Sequence, residues 1–203
     1  MFITLEGGEG AGKSTQARRL AAWLAGQGRP VLLTREPGGS PGAETLRGLL
    51  LSGLHDWSPE AETLLHFAAR AEHVARTIRP ALAAGMVVVC DRFYDSTMAY
   101  QGYGQGADQA HIAGLIALLG IAPDLTLVLD VSEAVATARM AARARALDRY
   151  DRLGAGFHAR VADGFRSIAA AHPARCRVID ANGNADQVLA AVTTIVASRL
   201  QGA

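Results

Sequence analysis

The sequence predicts an α/β fold, a five-stranded parallel sheet surrounded by helices. Three observations carry that expectation. Short apolar runs of strand type alternate with longer amphipathic stretches of helical period. The connections between runs are long enough to hold helices, which implies right-handed crossovers and parallel neighbours. No repeat and no low-complexity linker interrupts the 203 residues, so 1–203 reads as a single domain.

The first strand spans residues 1–6. Gly7-x-x-x-x-Gly12-Lys13-Ser14 follows without a gap and opens an amphipathic helix over 15–25. Glycines at 7, 8, 10 and 12 let the backbone take left-handed conformations and turn several N–H groups toward one anion. The helix aims its positive end at the same point. A plain Gly-rich turn between strand and helix would need neither Lys13 nor Ser14 at this spacing. This is a phosphate-binding loop in its required context, and it points to a nucleoside triphosphate. Lys13 is expected at the β- and γ-phosphates, and the Ser14 hydroxyl on Mg²⁺. Gly7, Gly8, Glu9, Gly10, Ala11, Gly12, Lys13, Ser14 and Thr15 form the expected triphosphate site.

Gly28-Arg29-Pro30 breaks the first helix, and further strands are expected over 31–34, 86–91, 125–131 and 176–180. Helices are expected over 43–51, 60–84, 109–119, 133–146, 156–171 and 185–199. Ligands of such a sheet bind beyond the carboxyl ends of its strands. The second strand ends there in Arg35-Glu36-Pro37-Gly38-Gly39. An Arg beside two Gly suits a second anion, and a turn with a solvated Arg reads equally well. The third strand ends in Asp91-Arg92. An acid in that position can hold Mg²⁺ directly or through water, and Arg92 can fork onto a phosphate. The bland alternative is a structural ion pair.

A Gly-flanked turn with Asp95, Thr97, Tyr100, Gln101 and Tyr103 follows, able to stack on and hydrogen-bond a flat base but equally compatible with a surface loop. On the long helix, His66, Arg70 and His73 share a face at i, i+4 and i+7, while Phe67 turns toward the core. Two histidines without a third ligand do not make a metal site. Between the fourth and fifth strands lie Arg139, Arg143, Arg145, Arg149 and Arg152, five arginines in fourteen residues separated mostly by small side chains. Charge runs are commonly solvated helix faces. Here a lid over about 139–155 that closes on a triphosphate accounts for the repulsion being tolerated. Asp151-x-x-Gly154 matches a GTPase switch pattern but comes late in the chain, with no Asn-Lys-x-Asp segment to read guanine.

Twenty basic and 19 acidic residues leave a net charge of +1, which provides no general attraction for nucleic acid or anionic membrane. Cys90 and Cys176 sit within apolar runs and read as buried thiols of a cytoplasmic protein. No basic segment followed by a long apolar one opens the chain, and nowhere do about 18 apolar residues run together.

Taken together, the phosphate loop with Glu9, Thr34-Arg-Glu-Pro-Gly-Gly39, Leu46-Arg47, Ala68-Ala-Arg70, Asp91-Arg92, Ser96-Thr97, Tyr100-Gln-Gly-Tyr103, Pro123-Asp124 and Leu147-Asp-Arg149 resemble bacterial thymidylate kinases in family order. The resemblance implies transfer of the γ-phosphoryl of ATP to dTMP, with Mg²⁺, in a homodimer. It assigns the acceptor phosphate to Arg35, Arg47 and Arg92, with Pro37 beside them, and the base to Arg70, Gln101 and Thr97. Tyr100 takes the family's sugar-packing place, and His66 with Phe67 stands where many members carry a stacking aromatic. The resemblance gives Glu9 the sugar hydroxyl or the metal shell, and Arg139 the adenine. Gly10 occupies a loop position where some members carry Arg, and such members' counterparts supply a catalytic arginine from the lid: Arg149 here, with Arg143 and Arg145 behind it.

Overall fold

The computed structural model describes residues 1–142, 150 and 153–201. Strands β1 (Phe2–Glu6), β2 (Val31–Arg35), β3 (Val87–Asp91), β4 (Leu125–Asp130) and β5 (Cys176–Asp180) form one sheet in the order β2-β3-β1-β4-β5. Every pairing is parallel. Helices α1 (Lys13–Gly26), α2 (Pro41–Leu51), α3 (Pro59–His73), α4 (Arg79–Ala83), α5 (Tyr94–Thr97), α6 (Gln109–Leu119), α7 (Glu133–Ala141), α8 (Ala155–Ala171) and α9 (Ala185–Gln201) cover it.

Strand periodicity sorts the core. Ile3, Leu5, Val87, Val89, Leu125, Leu127 and Leu129 face Leu20 and Leu24 of α1 and Val188, Val192 and Val196 of α9. Phe2, Val88 and Cys90 point the other way, onto Phe67, Ile78, Phe93 and Ile112. On that same face Val128 and Cys176 meet Phe157, Val161 and Phe165 of α8. Both cysteines are free and buried. Burial on both faces explains why the central strands read as continuous apolar runs. Among the described residues no helix is long and apolar enough to cross a membrane.

Four of the nine helix starts among the described residues are written locally by a capping side chain. The side chains of Ser40, Ser58, Asp108 and Ser132 accept from the first turns of α2, α3, α6 and α7. Helix α1 differs: it starts from Gly12 in a left-handed conformation, with no side-chain cap and no acid in its first turn. Its leading N–H groups are therefore open to an anion.

Two expectations are corrected. The helix expected over 60–84 is α3 and α4 joined by a π-helical stretch, Val74–Ile78. Pro80 cannot donate to a carbonyl four residues back, and the wide turn just before it accommodates its ring. The Gly-flanked segment read as a turn is helical, α5 running into a second π-helical stretch, Met98–Gly104. Its glycine serves close packing: a Cβ on Gly104 would lie 2.6 Å from the Phe157 ring of α8.

Candidate active site

The parallel register brings the strand ends into one row, with Leu5 opposite Asp91 and Asp91 opposite Arg35. The loop after β1 therefore lies beside the acid that ends β3. Gly7, Gly10 and Gly12 have φ of 136°, 74° and 91°, conformations that exclude most side chains. A Cβ on Gly10 would also meet the Ala136 carbonyl oxygen at 2.6 Å, so α7 closes over the loop only because the residue is glycine. Lys13 Nζ donates to the Gly8 carbonyl at 2.6 Å. Burial, and then the neighbouring Arg92, push its pKa down to about 8.

Ser14 Oγ donates to Asp91 Oδ2. The other oxygen, Asp91 Oδ1, is buried without a hydrogen-bond partner among the described residues. A hydroxyl and a carboxylate with a spare oxygen suit a hard divalent cation that keeps most of its other ligands as water and phosphate.

Arg92 is the one non-glycine residue with positive φ, at 70°, among those described. Its guanidinium donates to Glu9 Oε1, to Tyr100 Oη at 3.1 Å and to Ser96 Oγ at 3.2 Å. It also lies 4.9 Å over the Tyr100 ring. Burial alone would lower its pKa, but Tyr100, Glu9, Asp91 and Glu6 more than offset that and raise it. Burial in turn raises the Tyr100 phenol well above its ordinary value. Its Oη donates to Glu9 Oε1 at 2.9 Å.

From α3, Arg70 Nε donates to Glu36 Oε2 at 2.7 Å, and Nη2 to Phe93 O and Thr97 Oγ1 at 3.1 Å each. Its Nη1 is buried with no partner among the described residues. His73 braces the arrangement from behind, meeting Glu36 Oε1 at 3.0 Å and Thr34 Oγ1 at 2.7 Å. Arg35 and Arg47 both donate to the Pro37 carbonyl, at 3.2 and 2.7 Å.

Two cavities flank the phosphate loop, and Thr15 lines both. One, of about 410 Å³, collects Glu9, Lys13, Ser14, Arg35, Pro37, Arg47, His66, Arg70, Asp91, Arg92, Thr97, Tyr100 and Gln101. The other, of about 310 Å³, is lined by Gly10, Ala11, Gly12, Gln16, Arg139, Gly183, Asn184 and Ala185. Arg139 Nη2 donates to Gly183 O at 2.7 Å there. The arrangement offers two anionic ligands separate pockets with their phosphate ends meeting at one loop.

The thymidylate kinase family model matches residues 5–192. The chain belongs to the thymidylate kinase family. It is 53% identical to the thymidylate kinase of Gluconobacter oxydans over 200 residues, covering 97% of this chain and 94% of the relative. It is 52% identical to that of Caulobacter vibrioides over 202 residues, covering 98% and 97%. The crystal structure of thymidylate kinase from Ehrlichia chaffeensis superposes with a TM-score of 0.79 at 38% identity, covering 97% of each chain.

Of the acceptor residues expected from the family resemblance, Phe67 stands apart. It packs into the core behind the cavity, with its ring 4.8 Å below the Arg70 guanidinium. The expected lid arginines Arg143, Arg145 and Arg149 lie outside the described residues. Several groups in or directly behind the cavity lining went unread in the sequence. Glu62 is fully buried, and its Oε1 accepts from Tyr150 Oη at 2.6 Å, Gln101 Nε2 at 2.7 Å and Gln105 Nε2 at 3.1 Å. Tyr150 Oη also meets His66 Nε2 at 2.9 Å. Glu6 accepts from Phe93 N at 2.7 Å and Ser96 Oγ at 2.6 Å. Burial, and then Asp95, push its pKa up to about 8. The one sequence signal for Glu62 was an acid placed eight residues before Arg70, two turns along the same helix.

Proposed function

We propose that this chain phosphorylates dTMP to dTDP with ATP as donor and Mg²⁺ as cofactor. The observation that carries the reading is the pair of cavities sharing Thr15, one of them holding Arg70, Thr97 and Gln101 together. An oxygen of the acceptor phosphate attacks the γ-phosphorus, the bond to the β–γ bridging oxygen breaks, and ADP leaves. The acceptor is already anionic, so no strong base is needed. The work of the protein is positioning and charge neutralisation.

Lys13 and the open N-terminus of α1 hold the β- and γ-phosphates of the donor, while Arg139 packs on its adenine. Mg²⁺, held by Ser14 and Asp91, would offset further charge on the donor phosphates. Arg92, Arg35 and Arg47 receive the acceptor phosphate. Tyr100 and Glu9 form the wall against the sugar, and Arg70, Thr97 and Gln101 read the base beside His66. The fork of Arg70 supports this assignment: Glu36 and Thr97 fix its plane and leave Nη1 for the O4 of thymine, where cytosine would present an amino group. The family resemblance assigns the transferred group to Arg149, with Arg143 and Arg145 behind it.

The same reading makes the protein a single cytoplasmic domain working as a homodimer, without nucleic-acid or membrane partners. Exposed Leu49, Leu64 and Leu118, on helices that pack against one another, support a second copy as the partner. The test is ADP release with dTMP, dUMP, dCMP, AMP and shikimate as acceptors. Preference for dTMP is expected, and preference for any other acceptor overturns the assignment.

A further inference from the structure

The Gln101 side chain makes its hydrogen bonds through nitrogen. Nε2 donates to Glu62 Oε1 at 2.7 Å and to Tyr150 Oη at 3.3 Å, and among the described residues Oε1 has no partner. Gln101 and Glu62 are 1% and 0% exposed, so little water competes for the bond between them. The single Tyr150 hydroxyl proton goes to Glu62 Oε1 at 2.6 Å, which leaves that hydroxyl an acceptor toward Gln101. A carboxyl oxygen that already takes a hydroxyl and the Gln105 amide accepts, so the Gln101 atom beside it is the NH₂ group. An amide carries its two polar atoms on opposite branches. Pinning the nitrogen against α3 leaves the carbonyl oxygen for the cavity that Gln101 lines.

We infer that Glu62 is a specificity-determining positioning residue: it holds the Gln101 amide so that a carbonyl oxygen, never an NH₂ group, faces the acceptor base. The inference rests on the proposed acceptor pocket and deepens it. Thymine and uracil present an N3–H donor, which this oxygen accepts. Cytosine presents an N3 lone pair, which it repels. Unpairing a buried polar group is a strong discriminator, where a change of size alone is weak. Tyr150 joins the lock from the segment leading into α8, where its ring packs edge-on to Tyr100 at 5.6 Å.

The test is the ratio of kcat/KM for dTMP to that for dCMP, measured on one enzyme sample so that partial unfolding cancels. In Glu62→Gln the new side chain can donate to the Gln101 oxygen and let the amide turn over. The ratio is expected to fall at least tenfold, as the buried polar mismatch that rejects cytosine is relieved. In the double variant Glu62→Gln with Gln101→Glu, the introduced amide donates to the introduced carboxylate, an acceptor again faces the base, and the ratio rises back toward the original. Gln101→Ala separates the two levels of the argument. If it lowers the ratio while Glu62→Gln depresses both substrates equally, the positioning role is overturned and the base-reading role of Gln101 survives. If neither variant moves the ratio, the inference falls together with the Gln101 assignment beneath it.

Discussion

Arg70 Nε donates to Glu36 Oε2 at 2.7 Å across 34 residues of chain, and the two side chains are 3% and 2% exposed. This buried ion pair ties the residue just after β2 to the last turn of α3, and His73 completes it from the far side of the carboxylate. Removing one partner strands a charge in a dry site, which costs more than the intact pair contributes. Glu36→Ala is therefore expected to lower stability by about 3–5 kcal/mol in urea unfolding. Glu36→Gln, which keeps the shape and an acceptor oxygen, should lose less stability yet still lower kcat/KM for dTMP with the KM for ATP unchanged.

Arg92 combines a strained backbone with a needed side chain. At φ 70° a Cβ is unfavourable, and the structure holds the residue there through Glu9, Ser96 and Tyr100. Arg92→Gly relieves the backbone, whereas Arg92→Ala keeps the Cβ and loses the contacts. Glycine is expected to be the more stable of the two by about 1 kcal/mol in paired denaturation curves, with both nearly inactive toward dTMP. Equal stability would show that the conformation stores no strain.

Glu6 makes stability depend on pH. Its folded-state pKa of about 8 lies above the ordinary 4.5, so the folded protein keeps a proton that the unfolded chain has released. Between those two values the unfolded state binds fewer protons, and stability from this group falls as pH rises. Above about pH 8 its contribution is flat. Glu6→Gln carries no titratable proton. Its unfolding free energy, measured at several pH values across that window, is expected to decline less steeply than that of the native protein.

Arg149 lies outside the described residues, and the family resemblance alone assigns it to the transferred phosphoryl. Arg149→Ala is expected to lower kcat by about 10³-fold or more while nucleotide affinities change little, because a group acting on transition-state charge contributes little to ground-state binding. An effect confined to affinity would move the catalytic arginine elsewhere in the segment.

Features carried by neighbouring residues were the ones legible in the chain. The phosphate loop is a contiguous set of glycines, Lys13 and Ser14, and the strands around it are short apolar runs. The error at residues 95–104 has a definite cause: glycine marks both turns and tight packing, and only the presence of Phe157 against Gly104 separates the two. The polar lock on Gln101 was invisible for a related reason. Its members, Glu62, Gln101 and Tyr150, are separated by 39 and 49 residues.

By itself, the sequence determined that strands alternate with helices, that a phosphate-loop pattern follows β1, and that an acid and an arginine close β3. Each follows from local pattern, because backbone propensity and loop chemistry act over a few residues. The tertiary structure alone decided which groups lose water and which partners they then meet. It left Arg70 with one uncommitted nitrogen, raised the Glu6 pKa to about 8 and fastened the Gln101 amide nitrogen to Glu62. Those properties arise from burial and from contacts between distant segments, and they exist only once the sheet has brought the strand ends into register.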